Sequence, residues 1–453
     1  MRRILSVLAA PVIAALLLAT VALFPQEPDA AGVRQAAVGE TAYACSSAPT
    51  ILTGQVAAGT RSQALGSPGG EELEDVADPT RWVRSERSAL SGRPDAVLVT
   101  QRGERSGAVG FAHGRLGEAS GGGLVVAPCA GVVDDAWYTG LGSGRRQDSR
   151  VVLSNVGATP AVADLRLWSP AGGVDAVDAD GVVVEPGATR IVRLADLAAG
   201  ESELALQVER RRGALAVGVL DTATGAAAGS EAVDASLAPA TEQLVGGLPA
   251  GARGRTLHLV NPGETTARVA VEALGADGAF VPEGLDDVSV APASTTSVDL
   301  PAAVGDGAAG LRVTSDVPVA AGVRVDTGGT DVAAVAAASA WSGDAVVPLG
   351  GGLPSPDLAV TADGAAGVLE LEAVDAELAP VASATVEVAE ETSTTVDLAD
   401  VLDLDGAVAV IVRQGEDAVV SGSAVYADGD LLATFALRAA PREAPVPPVR
   451  YAP

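Results

Sequence analysis

Apolar and polar residues alternate along most of this chain. In DLRLW (164–168), RVAVE (268–272) and VLELE (368–372) every second position is Leu or Val between mostly polar neighbours, the period of two that marks a strand with one buried face. The phrases ending in VRL (192–194) and VDL (298–300 and 396–398) do the same. Beyond residue 24 no stretch carries the 3.6-residue period of an amphipathic helix, so many short strands separated by Gly and Pro turns predict an all-β chain of antiparallel sandwiches.

The strand pattern is itself repeated. LSNVGATPAVADLRLWSPAGG (153–173) matches LVNPGETTARVAVEALGADGA (259–279), and VVVEPGATRIVRLADL (182–197) matches VSVAPASTTSVDLPAA (288–303). A third copy runs over 358–374 and 386–401, and the closing hairpin of each copy recurs four times, with Gly110, Gly218, Gly322 and Gly422 in corresponding places. A glycine inside a strand implies a bulge or a close backbone approach. The two asparagines of the chain, Asn155 and Asn261, fall at the same point of two copies, 106 residues apart. Asn261-Pro262-Gly263 reads as a type II turn with glycine at the positive-φ position, and the third copy keeps a turn as Ala362-Asp363-Gly364, so the asparagines punctuate a fold rather than perform chemistry.

The expected organisation is a signal anchor or signal peptide over 1–24, an N-terminal β domain over 25–145, sandwich repeats over 146–250, 251–350 and 351–440, and a Pro-rich tail over 441–453. The Gly-rich joints WYTGLGSGRRQDS (137–149), LVGGLPAGARGRT (244–256) and VPLGGGLPSPDLA (347–359) read as tight linkers that hold the repeats in a stiff rod or arc. A β-propeller of about eight four-stranded blades is the alternative.

Composition narrows the function. The chain has 58 acidic and 29 basic residues, a net charge of −29, which excludes binding along a nucleic-acid backbone. Every basic residue is arginine, as a GC-rich, actinobacterial coding genome would give, and 22 of the 29 precede residue 256. Met-Arg-Arg followed by 21 uncharged residues, Ile4 to Phe24, predicts a segment that crosses or enters a membrane with the remainder exported, either kept as an anchor or cleaved after Thr20-Val21-Ala22. Cys45 and Cys129 then read as one disulfide in an oxidising compartment.

Candidate chemistry is sparse. His113 and His258 lie in different repeats, no Gly-x-Ser-x-Gly phrase supplies a hydrolase nucleophile, and Gly140–Gly144 lacks the lysine and helix of a phosphate loop. The Asp-Gly turns at 178–181, 403–406 and 428–430 do not continue into a calcium loop. Neither an enzymatic activity nor a cofactor or metal is expected. Trp137, Tyr138 and Trp168, with Trp168 facing outward, and the run Arg210, Arg211, Arg212 with Arg145, Arg146 and Arg150, are the candidate contacts for a glycan or protein partner.

The N-terminal segment, PCAGVVDDAWYTGLG (128–142), LSNVGATPAVADLRLWSPAGGVD and VVVEPGATRIVRL together resemble an uncharacterised family of exported actinobacterial proteins, known only as a domain of unknown function. The resemblance covers most of the chain after about residue 40. It carries over no catalytic residue and implies an association with cell-envelope glycosyltransferases. The expected function is a non-enzymatic extracytoplasmic scaffold or interaction module with immunoglobulin-like repeats and an envelope protein or glycan as partner. The alternative is an accessory subunit of envelope polysaccharide synthesis or export.

Overall fold

The structure is a computed structural model that describes residues 34–37, 40–46, 50–55, 61–65, 83–86, 96–102, 108–117, 122–440 without 226–227, 252, 305–306, 308, 329–330 and 416–417, and 443–446. The predicted membrane or signal segment over 1–24 lies outside these residues. Among the described residues no helix is long and apolar enough to cross a membrane. Arg34–Ala37 pairs antiparallel with Glu443–Val446, inside the expected tail, as a small body of its own. Val38–Arg442 form the second body.

That second body is all-β, and one pairing scheme occurs in it four times. In the second module Asp135–Leu141 pairs with Leu204–Arg212, which pairs with Ala161–Ser169; the facing sheet runs Thr189–Arg193, Gln147–Asn155, Leu215–Ala223, Gly229–Val233. The predicted alternation sets which residues face inward: Leu165, Leu167, Val151, Leu153, Val217 and Val219 meet in one core. Single-turn helices at Leu194–Leu197 and Leu398–Val401 carry the chain from one sheet to the other in the second and fourth modules, each burying its first leucine. The first, third and fourth modules repeat the order with first strands Glu40–Ser46, Ala240–Leu248 and Ala345–Pro348. In the third, one 18-residue strand, Ala309–Asp326, serves both sheets.

The Gly-rich joints are therefore not linkers between repeats. Each begins within the first strand of a module and carries the chain across to the facing sheet. Strand pairing changes partner module near residues 131–135, 233–240 and 336–345, earlier than the expected 145, 250 and 350.

The asparagines do punctuate the fold, though not through a type II turn, since Gly263 has no positive φ. Asn261 is fully buried; its Oδ1 accepts the Gly263 N–H at 3.0 Å while Nδ2 donates to the carbonyls of Thr265, Val290 and Ala291. Asn155 makes the same bonds to Gly157, Thr159 and Val184. The side chain is an Asx turn that also ties the turn to a strand 29 residues on. Asn261→Ala should therefore cost about 2 kcal/mol, because a buried N–H and several carbonyls lose their partner. Asn155→Ala, in another module, should add to it independently, which denaturant titration of the single and double variants measures.

The modules do not form a rod. Their fourth-position strands, Leu124–Pro128, Gly229–Val233, Val332–Ala336 and Leu431–Ala436, touch one another in cyclic order, the last against the first. Phe111, Leu124 and Val126 of the first module lie in one apolar cluster with Tyr426 and Phe435 of the fourth, and Phe111 and Phe435 meet at 5.5 Å between ring centroids. The result is a closed ring of four modules. It is not reached by the chain path of a propeller, whose blades take consecutive strands, because here the chain crosses repeatedly between two facing sheets within each module. The recurring glycines mark close approaches, as expected: a Cβ at Gly218 would meet the Ser46 hydroxyl of the preceding module, at Gly322 the Thr139 hydroxyl, and at Gly110 the Tyr43 ring and the disulfide sulfurs.

Candidate functional site

The ring has a polar centre. Asp331 precedes the inner strand of the third module and is fully buried. Its carboxylate accepts the backbone N–H of Leu124 at 2.8 Å, of Leu432 at 3.1 Å, of its own neighbour Val332 at 3.0 Å, and of Ser230. One carboxylate thus takes a donor from each of the four modules. Room for it comes from sequence: Gly123, just before its inner strand, and Gly229, the first residue of its own, hold the equivalent place, both with positive φ, and a Cβ on either would collide with Asp331. Burial raises the Asp331 carboxyl to about 6, and the converging amides limit the rise.

Two more acids line the centre. Glu231, almost fully buried, accepts the N–H of Thr434 and Ala334 through one face of its carboxyl, and its Oε2 has no partner among the described residues. Burial, and then the charge of Asp331, push it well above the usual carboxylate range. Asp234 accepts the Ala436 N–H at 2.7 Å; burial raises its carboxyl against the opposing charge of Arg438. The acids of the second and third modules therefore hold the backbone of the fourth.

The seams between modules consume most of the remaining chemistry. Trp137 and Trp168 stack at 5.0 Å and pack on Val260 and Ala320 of the third module, so neither faces solvent. Trp168 does point away from its own core, as predicted, but a neighbouring module covers it. Tyr138 is inside the second core, its hydroxyl donating to the Val217 carbonyl at 3.1 Å. Arg210 is bound to Asp134 and to the carbonyls of Val133 and Gly213, Arg211 to Asp164 and Glu209, and Arg212 is exposed. Arg145 and Arg146 sit beyond Leu141, at the end of the sheet where Leu204 begins its strand, while Arg210 to Arg212 end that strand. The two groups lie about 20 Å apart at the usual strand rise, so they do not make one basic patch.

Ion pairs join the same seams. Arg324 reaches Asp221, a fully buried acid that also accepts from Ser149 and Gln147, and Arg312 binds Glu272 together with Asp363 and Glu391 of the fourth module. His258 Nδ1 lies 3.5 Å from Glu203 Oε1, and Ser297 donates to the other oxygen of Glu203 at 2.8 Å. Burial raises Glu203, but the bonds from His258 and Ser297 outweigh it and hold the carboxyl low. The serine addresses the acid and not the imidazole, so this cluster does not activate a hydroxyl in the manner of a catalytic triad.

Cys45 and Cys129 form the predicted disulfide. Beside it, between the first and fourth modules, opens a cleft of about 240 Å³ lined by Tyr43, Phe111, Val346, Phe435 and Arg438. Among the described residues no group of three or more His, Cys, Asp or Glu is placed to hold a metal ion. The sequence reading missed Asp331, Glu231, Arg312 and Arg324. The one available signal was Asp331 itself, a lone acid where two other copies carry glycine.

The model of a family of unknown function, DUF5719, matches residues 87–399. No curated protein matches the chain. Among solved structures, an anti-sigma factor domain-containing protein from Clostridium clariflavum aligns over 86% of this chain and 99% of its own, at 8% identity and a TM-score of 0.13.

Proposed function

Because the chain belongs to DUF5719, a family of unknown function, we propose from its own geometry that it is a non-enzymatic, extracytoplasmic scaffold: a rigid ring that presents its outer surface to other envelope components. The observation that carries this reading is Asp331, which gathers one backbone donor from every module into a single buried carboxylate. A polar group spent wholly on holding four modules in register favours a fixed shape over chemistry. The ion pairs and the tryptophan stack at the seams act in the same sense.

On this reading each module is an immunoglobulin-like sandwich; in the second, the second strand pairs with the strand before the single-turn helix and the third with the strand after it. Export and attachment rest on Ile4 to Phe24 and on the disulfide. An accessory role toward a glycan or a membrane glycosyltransferase would use a surface other than Trp137, Tyr138 and Trp168, which are buried. Crosslinking of the tagged full chain in cells, followed by identification of what it carries, tests the proposal. Recovery of a defined set of extracytoplasmic envelope proteins supports it, whereas recovery of cytoplasmic partners only, or of a small molecule that the chain turns over, overturns it.

A further inference from the structure

The outer edge of the fourth module differs from its counterparts. In the second and third modules the strand beside the third strand is broken into three-residue pieces, Gly172–Val174 with Val182–Val184 and Gly278–Phe280 with Val288–Val290. In the fourth, one nine-residue strand, Pro380–Val388, runs antiparallel to Gly367–Val374, in regular register from Ala382 to Val388 and with a shift at Val381, and pairs with no other strand among the described residues. A long free edge offers a row of N–H and C=O groups to another strand, and sheets ordinarily blunt such edges by interruption or charge. Here such devices are confined to the two ends, a shift of register at Val381 and the single charge of Glu387, and Ala382 to Val386 carry neither. Its proline stands first, where a missing N–H is tolerated. Ala382, Ala384 and Val386 turn toward the core yet stay half-buried, while Val381, Ser383, Thr385 and Glu387 are exposed.

We propose that this edge is a self-association site, at which two copies of the chain pair antiparallel along Pro380–Val388 about a two-fold axis through Ala384. The stretch Ala382 to Val386, read as ASATV, is close to self-complementary in this register. Ser383 comes opposite Thr385 of the second copy and Ala382 opposite Val386. Hydroxyl meets hydroxyl, small apolar meets apolar, and no charge faces its like, which are the pairings that stabilise a sheet. The contact is isologous, as closed dimers require. A single strand pair buries less than a standard interface, so the dimer is weak, and the charge of −29 on each copy opposes it. Association therefore strengthens as salt screens that repulsion. The inference stands on the edge alone and is independent of the scaffold reading.

The test uses the full chain, whose only two cysteines are already joined to each other. Ser383→Cys and Thr385→Cys chains, each alone and then mixed, are oxidised mildly and run on a non-reducing gel at low and high salt. The expected result is a covalent dimer in the mixture at several-fold the yield of either variant alone, and more of it at high salt. A second pair of variants reports on register by light scattering: Ser383→Glu with Thr385→Glu abolishes the dimer, and Ser383→Lys with Thr385→Glu restores it. Equal yields from single variants and mixture, capture of a different protein by the new thiols, or a dimer fraction unmoved by the double glutamate in a chain whose circular dichroism is unchanged, would each overturn the proposal.

Discussion

Asp331→Ala should be the most damaging single change in the molecule. It leaves buried N–H groups of Leu124, Ser230, Val332 and Leu432 without their acceptor, one in each module. At 1–3 kcal/mol for each orphaned donor the loss is on the order of 5 kcal/mol, and it falls on all four seams at once. Asp331→Asn keeps one acceptor oxygen and should lose less. The two variants also separate geometry from charge. The folded-state carboxyl is raised to about 6 from 3.8, so between these values the native ring binds more protons than the unfolded chain. The resulting stability is fully present below about pH 4 and is lost as the pH rises through 6, a total of about 3 kcal/mol at 1.36 kcal/mol per unit. Glu231 and Asp234, also raised, act in the same direction. Denaturant midpoints taken from pH 4 to pH 7 should fall in the parent chain and fall less steeply in Asp331→Asn, the remaining slope belonging to Glu231 and Asp234. An unchanged slope would mean that Asp331 is already ionised throughout that range.

Reduction of the disulfide, or Cys45→Ser with Cys129→Ser, should cost about 4–5 kcal/mol, the chain-entropy value for a closed loop of this length, here with a sequence separation of 84. The loss should be local at first. Cys45 lies on the first strand of its module and Cys129 just beyond the inner strand Leu124–Pro128, at the seam where the ring closes. Amide exchange at Leu124 to Ala127 should therefore accelerate well before exchange at Leu257 and Leu259 in the third module. Uniform acceleration in both modules would show that the clasp acts on the whole ring.

What the sequence disclosed was whatever is encoded pairwise and close by. The alternation at Leu165, Leu167, Val269 and Val271 predicted strands and their inward faces, and the glycines at 218 and 322 announced close approaches. The errors share one cause, that a residue pointing away from its own core is not thereby exposed. Trp168 faces outward from the second module and is covered by the third, and His258 faces outward from the third and is covered by the second. The Gly-rich joints were misread for a related reason: Gly247, with positive φ, is needed where the third module touches the fourth and not where a linker bends. Asp331 was invisible because its partners come from residues 124, 230 and 432, which only ring closure brings together.

Closure has a consequence for how the molecule comes apart. An open stack of repeats loosens from its two ends, where the outermost units have a neighbour on one side only and need specialised caps. Here the first and last modules are each other's neighbour, so every module is flanked on both sides and no cap is called for. A rupture at one seam leaves a chain of three intact contacts, and a module is released only when a second seam fails.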